Sequence, residues 1–240
     1  ELAALREAER ELFPASSTGT DPFVVDPPTS GDAARPRVQA TGLPRMSTRT
    51  VVGSEGGKDL SWMSGLVLPE LPIRWEPRLV RYLEFFKDDP RGRATLSLWL
   101  RRSGRYAEGM RKVLRKKGVP EDLMWLSMIE SGFDPTIRSP AGAVGLWQFM
   151  PESSRQYGLH QDRWLDQRMN VQNATEAAAE FLSDLHKRFG SWELAMAAYN
   201  MGYGGLLVVV RKYNTNDYWT LSELEGALPW ETTLYVPKIL

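Results

Sequence analysis

The chain has 240 residues, enough for one large domain or two small ones, and its 42% hydrophobic and 25% charged residues are ordinary for a globular protein. Thirty basic and thirty acidic residues cancel to zero formal charge, which removes the global electrostatic case for nucleic acid or an anionic membrane as partner. The absence of cysteine excludes disulfides and thiolate metal sites, and no apolar run reaches the length that spans a bilayer.

No signal-peptide pattern opens the sequence, since Glu1 begins a charged stretch. Residues 1–13 predict a short helix with Leu2, Leu5, Glu9 and Leu12 on one side. Such a helix is marginal alone in water, so it is expected to dock or to end a longer helix. Residues 14–70 change character: Pro, Gly, Ser and Thr dominate as far as 59, followed by an extended lead-in. They read as an irregular arm or linker, with Phe23, Val24, Val25, Val51 and Val52 as anchors if it packs on the domain.

From 71 to 240 the patterns are helical. Pro77 starts one helix, with Leu79, Tyr82, Leu83 and Phe86 on its apolar side. Leu96, Trp99 and Leu100 mark a second; Tyr106, Met110, Val113 and Leu114 mark a third, ended by Gly118. The basic run 111–117 surrounds that last apolar stripe and reads as a solvated face, not a nucleic-acid site. The clearest helix spans 170–189, with Ala174, Ala178, Phe181, Leu185 and Phe189 at helical spacing and Gly190 at its end. Ser191 caps the next, on which Trp192, Ala195, Met196 and Tyr199 share a face. Residues 206–210 fit a strand or a buried helix by pattern, and their helical neighbours favour helix. His186 reads as a surface residue, and with only two histidines and no paired ligand motif no metal site is predicted.

The stretch from Leu123 to Met150 carries the chemistry. Pro120 suits a first helical position, and Leu123, Leu126 and Glu130 then share one face. Gly132 suits the left-handed turn after that helix. Glu130 is therefore expected at the C-terminal end of an apolar face, where desolvation and the helix dipole both disfavour its ionised form. A carboxyl that stays protonated near neutral pH is what a general acid requires. The bland alternative is a solvated charge or half of a salt bridge. Asp134 lies four residues on, but Gly132 intervenes and Asp before Pro sets a turn, so it reads as structural. The small residues Ser139, Ala141, Gly142 and Gly145 let a loop approach a ligand closely, and a second helix is expected to begin at Gly145 and to carry Gln148 and Met150.

Four motifs in order resemble the lytic transglycosylase family with a lysozyme-like (SLT) domain, and within it the membrane-bound D type. They are Glu130-Ser131, Gly145 to Gln148, Ala198 to Asn200, and a late Tyr235. The resemblance covers about 71–240 and implies a mainly α, lysozyme-like helical domain preceded by the arm. It implies cleavage of peptidoglycan between N-acetylmuramic acid and N-acetylglucosamine, leaving a 1,6-anhydro end, with Glu130 as acid and then base and no cofactor. Tyr199 would orient Glu130 through its hydroxyl. Asn200, Gln148 and Ser139 would hold sugar hydroxyls and the N-acetyl group, Met150 would pack on a sugar, and Ser153 stands where relatives often carry Thr. Tyr235 would contact the muramic sugar or Glu130. Ser131, beside the acid, is expected to serve local backbone bonding. The implied setting is the periplasm or cell envelope of a bacterium, as a monomer, with membrane anchoring or carbohydrate-binding repeats outside this sequence. Two departures stand out: no counterpart in the family is placed for the segment before residue 70, and Tyr203 stands where relatives often carry Pro. Two other readings use the same residues: a hydrolysing muramidase with Asp134 or another acid activating water, and a catalytically idle glycan-binding module.

Overall fold

The computed structural model describes residues 2–13, 62 and 69–240, and residues 2–13 and 69–240 lie in one compact unit. The proposed arm at 14–70, with its expected anchors, lies almost entirely outside the described residues. The described residues are mainly α, as expected, and their only β pairings are isolated bridges.

Helix α1 (Leu2–Leu12) docks through Leu5 and Ala8, which join the main core. Phe13, just beyond it, packs on Tyr82 with ring centres 4.9 Å apart. Helices α2 (Pro77–Asp88) and α3 (Pro90–Ser103) each begin with proline, where no N–H is needed, and Asp89 between them accepts the Arg91 amide at 2.8 Å. Gly92 allows their close crossing, since a Cβ there would stand 2.2 Å from the Phe85 carbonyl oxygen. Helix α4 (Ala107–Lys116) follows and ends before Gly118.

The next segment departs from expectation at its start. Pro120 does not open an α-helix. Its carbonyl accepts the Leu123 amide at 3.1 Å, an i to i+3 bond that makes Glu121–Met124 a 3-10 turn ahead of α5 (Trp125–Ser131). The helix expected from Gly145 is absent as well. Gly145 and Gln148 both have positive φ, 84° and 47°, and Val144 and Phe149 exchange backbone hydrogen bonds at 3.1 and 3.2 Å. Left-handed residues cannot continue a right-handed helix, so 144–149 closes as a tight hairpin. Helix α6 (Pro151–Gln156) begins only at Pro151.

Helix α7 (Val171–Phe189) is capped by Asn170, which accepts the Asn173 amide at 3.0 Å, and Gly190 ends it at φ 82°. Ser191 caps α8 (Trp192–Met201) by accepting the Leu194 amide at 3.1 Å. Helix α9 (Tyr203–Tyr213) settles 206–210 as helix. Short α10 (Tyr218–Glu223) leads to α11 (Trp230–Ile239), which carries Pro237 within it. Helix α7 packs on α4 and α8, and α8 packs on α9 and α11. Ala177, Ala178, Ala179, Ala195, Ala197 and Ala198 are buried, and their small side chains permit that close approach. Helix α11 also touches α2 and α5, which brings the last helix of the chain against the helix that carries Glu130.

Candidate active site

Glu130 stands in the last turn of α5. Gly132 stops the helix at φ 59°, and its amide donates back to Met128 at 2.9 Å. A side chain at 132 has no room, because a Cβ would lie 2.7 Å from Trp99 Nε1. Ser131 donates its hydroxyl to two carbonyls, Ser127 at 2.8 Å and Leu146 at 2.9 Å. Its local backbone bond is the one expected, and the second ties the end of α5 to the 144–149 hairpin.

The Glu130 carboxyl is half-buried, and Oε1 accepts a short hydrogen bond from the Tyr235 hydroxyl of α11. Burial pushes its pKa up to about 7 from 4.5. The bond from Tyr235 pulls the other way, because it stabilises the ionised form; Glu231 raises the value and Lys238 and Arg6 lower it. Tyr235 is itself buried, and burial beside Glu130 keeps its phenol protonated and able to donate.

Tyr199 does not bond Glu130. Its hydroxyl donates to the Trp147 carbonyl at 2.6 Å, so the last turn of α8 braces the hairpin, while Tyr235 makes the contact to the acid. Tyr199 remains within electrostatic reach of Glu130. Asn200 Oδ1 accepts from the Thr232 hydroxyl at 2.7 Å, which links α8 to α11.

A cleft of about 550 Å³ runs beside these groups, and Gln148, Met150, Ser153, Tyr199 and Asn200 are in its wall. Glu130 is not a wall residue, and it acts through space on Tyr199, which is. Met150 is exposed there and Ser153 lies in the first turns of α6. Contrary to the expectation from sequence, Gln148 and Met150 do not ride a helix together. Gln148 sits in the hairpin with its amide donating to Gly145 at 2.9 Å, and Met150 immediately precedes α6. Ser139 lies outside this wall. Its hydroxyl oxygen accepts the Ala143 amide at 3.0 Å and closes the preceding turn.

Arg168 was missed by sequence reasoning. It is 6% exposed, pairs in parallel with both oxygens of Asp166 at 2.9 and 2.8 Å, and donates to the carbonyls of Gly142 at 3.0 Å and Phe149 at 3.1 Å. Its own backbone oxygen lies 2.0 Å from where a Cβ of Gly145 would stand, which fixes glycine there. Only the alternation of acid and arginine two residues apart hints at this in sequence. Trp147 completes the frame by donating Nε1 to Thr175 at 3.0 Å.

Asp134 accepts the Thr136 amide at 2.9 Å and hydroxyl at 2.7 Å, and its carboxyl is held below the usual range, chiefly by that backbone bond. His186 is half-buried, stacked 3.9 Å from Trp192, in place of the surface position expected. Burial lowers its pKa. Among the described residues no group of three or more His, Asp or Glu is placed to hold a metal ion.

Residues 110–222 match the family model described as Transglycosylase SLT domain. The chain is 39% identical over 132 residues to membrane-bound lytic murein transglycosylase D of Escherichia coli, a match covering 53% of this chain and 28% of that protein. It is 38% identical over 95 residues to a putative tributyltin chloride resistance protein of an Alteromonas species, covering 39% and 46% of the two chains. Over 131 residues it is 35% identical to peptidoglycan transglycosylase gp16 of Escherichia phage T7, covering 53% of this chain and 10% of that one. These matches bear out the resemblance to the family over a segment well short of the relatives' full lengths, and Tyr235 lies beyond the residues the family model matches.

Proposed function

We propose that the chain, whose residues 110–222 carry a transglycosylase SLT domain, is a peptidoglycan-cleaving enzyme that works as a lytic transglycosylase on glycan strands. The observation that carries this reading is one carboxyl, Glu130, poised near neutrality and held by Tyr235 near a cleft whose wall mixes polar and aromatic side chains.

Protonated Glu130 gives its proton to the glycosidic oxygen between N-acetylmuramic acid and N-acetylglucosamine, and the bond from that oxygen to the muramic anomeric carbon breaks. The 2-acetamido carbonyl of the same sugar shields the positive charge. Glu130, now ionised, takes the proton of the sugar's own 6-hydroxyl while that oxygen bonds the anomeric carbon. The products are a 1,6-anhydro ring and a free N-acetylglucosamine end, and Glu130 is protonated again. The attacking hydroxyl is tethered to the reacting sugar, which gives the step the advantage of an intramolecular reaction. A pKa near 7 suits a group that must be acid and base in turn.

Tyr235 holds the carboxyl in place. Gln148, Met150, Ser153 and Asn200 line the bed for the sugars, with the Met150 thioether on a ring face. Ser139 supports the loop beside that bed and acts indirectly. The hydrolytic alternative would call on Asp134, whose carboxylate is committed to its own turn. The substrate places the enzyme in the bacterial cell envelope, and among the described residues no helix is long and apolar enough to cross a membrane.

The test is mass spectrometry of muropeptides released from purified peptidoglycan by wild type and by Glu130→Gln. Anhydro-muramic ends from wild type and none from the variant are expected. Reducing muramic ends would make the protein a hydrolase, and no product at all would leave only glycan binding.

A further inference from the structure

Helix α1 carries a carboxylate where a helix of this kind would carry leucine. Glu9 lies on the apolar side of α1 and is 7% exposed. It accepts the Tyr82 hydroxyl of α2 at 2.9 Å and pairs with Lys238 of α11 at 2.5 Å. The Lys238 side chain is 8% exposed, and its ammonium also stands 5.8 Å from the centre of the Tyr82 ring. A buried ion pair is a poor way to gain stability, because desolvating both charges offsets their attraction, but it fixes geometry. Here the geometry fixed is that of α11. Lys238 lies three residues after Tyr235, which bonds Glu130, and a lysine at that place acts on the Glu130 carboxyl through space.

We propose that α1 is part of the proton-handling centre: Glu9 anchors Lys238 and sets how much positive charge Glu130 feels. Glu9 touches no reacting atom and is a positioning residue acting through Lys238. The charged and titratable groups that face Glu130 come from three helices. They are Arg6 on α1, Tyr199 on α8, and Glu231, Tyr235 and Lys238 on α11. Arg6 and Glu231 pair with each other at 3.5 Å on an exposed rim, where such a pair is weak and screened. The Glu9–Lys238 pair is shielded from solvent, so its effect on Glu130 persists in salt. The inference deepens the transglycosylase reading and rests on it for the meaning of Glu130, although not for the contacts.

The test is the titration of the Glu130 carboxyl, followed by carbon NMR in wild type, Glu9→Gln and Glu9→Gln/Lys238→Met. Glutamine keeps the shape of Glu9 and an acceptor for Tyr82, but leaves the ammonium without its carboxylate. The Glu130 midpoint should then move to lower pH than in wild type. Removing the ammonium as well should move it above wild type. The high-pH limb of kcat/KM on peptidoglycan should follow in both cases. A fall in stability alone cannot produce shifts of opposite sign. Midpoints equal to wild type, or displaced in one direction in both variants, would overturn the inference. Wild type without anhydro products, but with the opposed shifts, would sink the functional reading and leave the role of α1 standing.

Discussion

Glu130→Gln should stabilise the fold, and by an amount that grows with pH. The carboxyl titrates at about 7 in the folded chain and near 4.5 when unfolded. Between those values the folded state binds the proton that the unfolded state has released, so stability falls as pH rises through that window and is flat for this group on either side. The rise corresponds to about 3 kcal/mol, and solvent reaching a half-buried carboxyl trims this to about 2–3 kcal/mol. Glutamine never ionises and can still accept the Tyr235 hydroxyl through its amide oxygen. The difference in unfolding free energy between the Glu130→Gln variant and wild type should therefore be small at pH 4 and reach about 2–3 kcal/mol at pH 8. For a chain of this size that is roughly 5–10 °C in melting temperature. Urea unfolding of both proteins at four pH values measures it. A difference that stays constant from pH 4 to 8 would refute the reasoning, because it would mean that Glu130 has no raised pKa to lose.

Tyr235→Phe removes a hydrogen bond that favours the ionised acid, so the Glu130 pKa should climb above 7 and the high-pH limb of kcat/KM should move up; an unmoved limb would show that the bond is not made in solution. Tyr199→Phe strips the Trp147 carbonyl of its donor at 2.6 Å and should cost about 1–3 kcal/mol in chemical unfolding, with a smaller pH shift than Tyr235→Phe because no bond to Glu130 is lost. Arg168→Met leaves Asp166 and two loop carbonyls without their guanidinium and should destabilise by about 3–5 kcal/mol, with faster amide exchange across 142–149.

The sequence was most legible where a single local rule decides. Gly132, Gly190 and Ser191 mark ends that the structure realises, because caps and left-handed turns depend on few neighbours. The raised pKa expected for Glu130 from its apolar face has burial as its chief cause, as that face foretells; the helix end is not among its causes. Contacts set by tertiary packing were not legible. Tyr199 and Tyr235 are both near the acid, and which of them bonds it depends on how α8 and α11 lean. The 144–149 hairpin defeated helical reading because Gln148 adopts a positive φ that only its surroundings enforce. Arg168 supplies part of that enforcement from about twenty residues further along the chain. Glu9 is the middle case: its place on the apolar stripe was visible, and its partners, Tyr82 and Lys238, were not.

In the proposed reaction one carboxylate serves where glycosidases commonly use two, and the opposing influences on Glu130 bear on how it could. Burial alone would hold the acid protonated and leave it a reluctant base after the first transfer. The Tyr235 hydroxyl, Lys238 and Arg6 act against burial and bring the value back to about 7. At that value neither protonation state is strongly preferred, so giving up the proton and recovering it are both accessible near neutral pH. A second carboxylate is needed when an outside water must be activated or a covalent sugar formed. In the proposed reaction the nucleophile carried by the substrate would remove that need, and what would remain to be built is a single acid whose two states are nearly balanced. The residues around Glu130 do this from both ends of the described chain, with Arg6 on the first helix and Tyr235 and Lys238 on the last.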